Sequence, residues 1–388
     1  MFHPLRSKAA CAVFFFLPGL YYGLIVSRLP AIKMHVGLSD SQIGLCLFMF
    51  GCFGLLGLLF SPKLISRFSS RMVLCVNAVL CFLGLLGIGF AQTVPQIFVA
   101  FGICGFSVSL LDGAMNTQGV LYEKASKRPT LNLFHAFYSL GAVFASAAGS
   151  VCAALAIGSG INFLVASAAF VVLSLSLSGY LLSDRTASTS ASTDSKKQRL
   201  PAVVMICAVC SLLAYASEGT VGEWGGLYLT GDKGADQSVA ALVYGLFSIV
   251  TFFARLAGDP LRTKFGENNL MLCGLALALA AMGVVLTAES AYTVLAAYAV
   301  MGLGFAHVIP TLFSIAGRNG IIPAASATAA VAFMSYAGLL FVPPCIGWVA
   351  QHFSLHAALC LVPVMIAVIF ILTLRLRSLS VRNSELTP

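Results

Sequence analysis

The feature that most restricts this chain is a recurrence. Apolar stretches of spanning length fall at 9–27, 41–62, 72–91, 95–121, 133–157, 161–182, 201–229, 238–259, 269–288, 291–316, 324–348 and 355–376. A hydrocarbon core of roughly 30 Å takes about 20 residues of helix to cross, so each stretch has the length of one crossing. Only 9% of the residues are charged and 59% are hydrophobic, whereas a soluble domain carries about a quarter charged residues to keep its surface wet. No arrangement of soluble layers hides this much apolar side chain in 388 residues. The expected fold is therefore an all-α membrane protein with twelve transmembrane helices.

Between the sixth and seventh segments lies SDRTASTSASTDSKKQRLP, polar, Ser/Thr-rich and charged. It reads as a flexible linker. The expected organisation is a six-helix bundle over 1–182, a cytoplasmic linker over 183–200 and a second six-helix bundle over 201–388. With the N-terminus in the cytoplasm, one side collects Arg6, Lys8, Lys63, Arg67, Arg71, Lys124, Lys127, Arg128, Arg262, Lys264, Arg318, Arg375, Arg377, Arg382 and the basic residues of the linker. The other side holds Arg28, Lys33 and Lys233. This bias places both termini inside. The apolar N-terminal stretch resembles a signal peptide but has no small-residue cleavage site before a soluble domain, so an uncleaved first span is expected.

Several function classes lose support. The charge of +9 lies in loop clusters rather than along one face, which argues against a nucleic-acid partner. The twelve cysteines are scattered, and the pair Cys207 and Cys210 in CAVC has no second Cys/His pair at zinc spacing. They read as small buried hydrophobes, and neither a metal nor another cofactor is expected. There is no Walker A sequence and no G-x-S-x-G elbow, so neither ATP-driven transport nor an enzyme is expected. The partners expected are a small-molecule substrate and the lipid bilayer, with the chain acting as a monomer.

The halves echo one another. AFYSLGAVF at 136–144 has a counterpart in AFMSYAGLLF at 332–341, and Gly105–Phe106 is echoed by Gly304–Phe305. Matches at equivalent places point to a parallel repeat with a site at its interface.

Polar groups inside apolar segments are the functional candidates, because a charge at the bilayer centre needs a cavity or a partner. Asp112 and Asn116 are four apart on one helical face. Asn132, His135 and Ser139 form a polar stripe on the next segment, with His135 near the level of Asn116. A titrating carboxylate and imidazole suit proton coupling, and the bland alternative is a polar packing cluster. Glu218 and Glu223 lie in the seventh segment, where Gly219, Gly222, Gly225 and Gly226 predict a broken helix. Trp224 is expected either to stack on a solute ring or to anchor at the interface. His307, with Pro310 nearby, reads as cavity-lining or as a satisfied buried histidine. Arg28 and Arg255, near segment ends, read as snorkelling or gate-pairing residues.

The loop RLAGDPLRTKFG at 255–266 resembles the G-x-x-x-D-R-x-G-R-R signature of the major facilitator superfamily, with Asp259, Arg262, Lys264 and Gly266 supplying its charges and turn. The matching loop SPKLISRFSSR has Ser66 where that family has Asp, although Arg67 and Arg71 remain. SRLPAIK (27–33), LDGAMNTQG (111–119), LNLFHAFYSLGA (131–142) and EGTVGEWGGLYL (218–229) are similar to the bacterial inner-membrane branch often called YbjJ-type, distantly related to fucose–proton symporters. In that branch Asp is expected where Glu223 stands. The resemblance implies residence in a bacterial inner membrane and secondary active transport.

Together these readings predict a transporter of a small polar organic solute, driven by protons, with sodium as the alternative coupling ion. Asp112, His135 and Glu218 are the expected titrating groups. Asn116, Asn132, Glu223, Trp224 and His307 are expected to line the solute path. Arg28, Arg67, Arg255, Asp259 and Arg262 are expected at gates or structural contacts. Efflux of amphiphiles and a non-transporting membrane sensor are the competing readings.

Overall fold

The computed structural model describes residues 3–127, 130–183 and 200–385, without the side chains of 132, 259, 260, 324, 325 and 378–385. Most of the linker, Arg128 and the side chains of Asn132 and Asp259 therefore lie outside the described residues. Among the described residues, twelve helical spans are long and apolar enough to cross a membrane. Spans one to six are Pro4–Val36, Asp40–Phe68, Ser70–Phe90, Val94–Ser126, Leu133–Ala154 and Ser159–Tyr180. Spans seven to twelve are Ala202–Gly231, Gln237–Leu256, Glu267–Thr287, Ala291–Gly317, Ser326–His352 and Leu355–Arg377. No strand occurs among the described residues. A helix satisfies its own peptide groups, which lipid does not do.

The chain forms two compact units. One comprises Met1–Ala191 with Asp236–Gly245, the other Ser192–Ala235 with Leu246–Pro388. The start of span eight thus belongs to the first unit, where Gly245 lies against Ser146 of span five.

Span one is the most enclosed helix, with 83% of its apolar window buried. Its close partner is span five: a Cβ on Gly19 would strike the Tyr138 carbonyl, and one on Gly141 would strike the Phe16 carbonyl. In the second unit a Cβ on Gly338 of span eleven would strike the Leu212 carbonyl of span seven. Gly141 and Gly338 lie in the two echoing strings, so that echo is a repeated helix contact of the close-packing kind that small residues permit. The Gly-Phe echo is different. Gly105 meets Phe50 of span two, whereas Gly304 meets Gly274 of span nine, and the residue of span ten that meets span eight is Gly302. Outward faces carry large apolar side chains such as Leu59, Val165 and Phe333, each about two-thirds exposed in the absence of lipid.

Span seven runs unbroken from Ala202 to Gly231, against the expectation of a broken helix at its glycines. Glycine lowers helix propensity by about 1 kcal/mol in water, but in lipid an opened peptide group has no solvent to replace its partner. The described breaks fall elsewhere. Span ten is interrupted at Ala306–His307, between helices Ala291–Phe305 and Val308–Gly317. Span eight is interrupted after Gln237–Ala240, and span twelve at Cys360, after Leu355–Leu359.

Candidate functional site

In the first unit, span four carries Asp112 and Asn116 on one face, and span five returns beside it. Asn116 Nδ2 donates to the Asp112 carbonyl (2.9 Å) and reaches Asp112 Oδ1 (3.4 Å). Its Oδ1 lies 3.1 Å from His135 Nε2. With the amide NH2 turned to the acceptor Asp112, Asn116 Oδ1 must accept, so Nε2 of His135 carries the proton. Carboxylate, amide and imidazole thus form one hydrogen-bonded chain from half-buried Asp112 to exposed His135. The Phe15 ring stands edge-on to the imidazole, 5.2 Å between centroids, and fixes its plane.

Sequence reasoning missed two structural residues on span four, of which the first sets this register. Glu123, at the end of span four, accepts from the backbone N–H groups of Thr130 (2.6 Å) and Leu131 (2.8 Å). It thereby caps the helix that begins at Leu131, one turn before His135. Gln118 is fully buried. It donates to Ser70 Oγ (2.7 Å) and the Leu182 carbonyl (2.8 Å) and accepts from the Leu182 N–H (2.9 Å). This amide ties the end of span six to the start of span three. Both residues were visible as polar side chains in or after LDGAMNTQG. Gln118 sits two residues past Asn116, roughly 200° around the helix, and so serves another neighbour.

In the second unit, span seven presents Glu218, Glu223 and Trp224. Glu223 is 6% exposed and its carboxylate lies over Gly219, one turn back. Trp224 has no exposed surface, which removes the interfacial-anchor reading. Its Nε1 and Oε1 of Glu218 are buried without a hydrogen-bond partner among the described residues.

His307 and Arg255 belong to the break in span ten. Pro310 has no N–H to give the Ala306 carbonyl four residues back, so that helical bond is missing. Arg255 Nε supplies a donor to it at 3.2 Å. Arg255, an exposed residue, is thus a structural donor to a broken helix. His307 lies on Gly258, where a Cβ would come within 2.8 Å of its ring. The imidazole of His307 thus packs against the start of the helix between spans eight and nine.

The loop between spans eight and nine forms this helix, Gly258–Phe265, ended by Gly266 at φ 76° and ψ 148°. Arg262 donates to Glu267 (2.7 Å) and Ser314 (2.8 Å), and Arg318 donates to the same carboxylate (2.6 Å). In the first unit the turn after span two is Ser69, at φ 79° and ψ 149°. Matching the two turns sets Ser66 opposite Thr263 and Arg67 opposite Lys264, each cation lying over the following Phe ring. Asp259 therefore lies a helical turn upstream of the signature aspartate position, a register correction to the sequence reading.

Arg28 is 4% exposed and departs from the snorkelling reading. It donates from Nη1 to the Gly149 carbonyl (3.1 Å) and from Nη2 to the Ile157 carbonyl (2.6 Å). Cys207 and Cys210 are buried free thiols within span seven.

Twelve apolar spans with intramembrane carboxylates and repeated helix contacts define a polytopic α-helical membrane protein of transporter type. The chain belongs to the Major Facilitator Superfamily, whose family model matches residues 11–320 and 207–388. An uncharacterised MFS-type transporter of Yersinia pestis is 29% identical over 356 residues, 91% of either chain. Among solved structures, a point mutant of the nucleoside transporter NupG superposes with a TM-score of 0.78 at 12% identity, over 95% of this chain and 99% of that one. A D-xylose–proton symporter superposes with a TM-score of 0.76 at 16% identity, over 95% and 97%.

Proposed function

We propose that this protein is a proton-coupled secondary transporter of a small polar organic solute, working by alternating access in a bacterial inner membrane with both termini cytoplasmic. The observation that carries the reading is the Asp112–Asn116–His135 chain, a carboxylate linked through one amide to an imidazole inside a membrane domain. Two titratable groups joined in this way can exchange a proton for a change in hydrogen bonding to a solute. Proton and solute then each shift the population of inward- and outward-facing states.

Glu218 is the second titrating group; its Oε1, like Trp224 Nε1 on the same span, is buried without a hydrogen-bond partner among the described residues. Asn132 and Glu223 complete the path, while His307 is assigned to the loop it touches. The superposable neighbours include a nucleoside transporter and a sugar–proton symporter, which supports a polar solute over an amphiphile.

The test is a screen of nucleosides, pentoses and hexoses for thermal stabilisation of the detergent-purified chain, followed by counterflow in liposomes. A stabilising solute that also exchanges across the membrane is expected. If toxic amphiphiles stabilise the protein while no polar solute does, the assignment of substrate class is wrong.

A further inference from the structure

At the end of the first unit remote from the N-terminus lies a cleft of about 960 Å³. It is lined by the end of span one, the end of span three, the turn after span five and the start of span eight. Its volume matches that of sites holding small organic ligands. Ala31, Phe90 and Ala153 give it apolar walls, while His35 and Gln92, 3.3 Å apart, supply polar groups at the rim.

The charge in this cleft is Arg28. Its guanidinium is buried, and two backbone carbonyls accept one hydrogen bond from each terminal nitrogen. That leaves a second N–H on each terminal nitrogen and the Nε–H, and Nε has no hydrogen-bond partner among the described residues. No described carboxylate lies within ion-pair distance of Arg28. Lys33, the cation one turn further on, is already paired with Asp40, and Asp236 at the rim is exposed to water. Arginine does not shed its charge at any physiological pH, so it cannot escape burial by deprotonation. A permanently charged, carbonyl-oriented guanidinium with uncommitted terminal N–H groups, lining an apolar-walled cleft, is the arrangement that receives a carboxylate.

We propose that this cleft binds a small organic carboxylate through the uncommitted terminal N–H groups of Arg28. The apolar walls favour an anion with a carbon skeleton over a bare inorganic ion. The site is separate from the Asp112–Asn116–His135 chain and does not depend on proton coupling.

Equilibrium binding to the full-length protein in a neutral detergent tests this. Thermal unfolding is followed with sodium gluconate, lactate and benzoate, against glucose as neutral analogue and sodium chloride and sulfate at matched ionic strength. At least one carboxylate is expected to raise the unfolding temperature in a saturable way, with glucose and the inorganic salts without effect. Arg28→Gln is expected to weaken that binding tenfold or more. Since Arg28 also holds two carbonyls, Ala31→Trp provides a second variant that fills the cleft and leaves those acceptors in place, with the same loss expected. The proposal is overturned if no carboxylate stabilises the protein, if chloride or sulfate does so equally, or if carboxylate stabilisation survives Ala31→Trp. Such a failure leaves the coupling reading intact, because that reading is measured by proton movement.

Discussion

The turn after span two and the turn after the Gly258–Phe265 helix share one backbone and differ in chemistry. Ser69 and Gly266 have φ of 79° and 76°, and each donates its N–H to the carbonyl four residues back at 2.9 Å. A cation then stacks on Phe68 in one and on Phe265 in the other. Beyond that the loops part. In the second unit Glu267 gathers Arg262 and Arg318, while in the first unit Arg67 makes no ion pair among the described residues. The spans that follow part too. Span ten is broken and repaired by Arg255, whereas span four is continuous and carries Asp112 and Asn116. A repeat conserves the geometry of its turns and lets each copy spend its charges differently: structural pairing in one, a titratable chain in the other.

The largest expected effect attacks the repaired break. Arg255→Ala leaves the Ala306 carbonyl without its donor, a loss of about 1–3 kcal/mol for a buried polar group. Pro310→Ala restores an N–H four residues on, so the double variant is expected to recover most of that stability. Unfolding temperatures of the single and double variants decide it; equal instability of both would break the assignment of Arg255.

A smaller effect is expected at the charge cluster. Glu267→Gln removes a carboxylate shared by two guanidinium groups, for about 1 kcal/mol given their partial exposure. Arg67→Gln in the first unit is expected to change stability by less than about 0.5 kcal/mol, as for an unpaired surface charge. Comparable losses in the two loops would erase the contrast drawn between them.

The smallest effect has the opposite sign. Ser69 holds a backbone conformation close to one that is essentially reserved for glycine. Ser69→Gly relieves it but removes the hydroxyl that accepts from Met72 N–H at 3.4 Å. The expected outcome is a gain of up to about 1 kcal/mol, seen as a raised unfolding temperature. A loss would mean that the cap outweighs the strain.

Most of the fold was legible in the sequence, because lipid imposes a length and an apolar composition on every crossing. Asp112, Asn116 and His135 were legible as neighbours because helical spacing and span direction place them at one level. The intact span seven was not legible: glycine signals flexibility in sequence, but the bilayer penalises an opened peptide group more than it penalises glycine. The role of Arg255 was hidden because its partner is a carbonyl, which no residue letter records. The same holds for Arg28 and for Glu123, whose acceptors or donors are backbone groups. The register of the signature loop required the two positive-φ turns, which identify Ser69 with Gly266 and move Asp259 out of the signature position.

Solute-driven proton movement in liposomes tests the coupling chain most directly. With a solute found by stabilisation and counterflow, an outward solute gradient is expected to shift the pH of the enclosed volume for the native protein. Asp112→Asn is expected to keep solute counterflow and lose the pH change. Proton movement that persists in Asp112→Asn and in His135→Gln, with transport otherwise intact, would contradict the account.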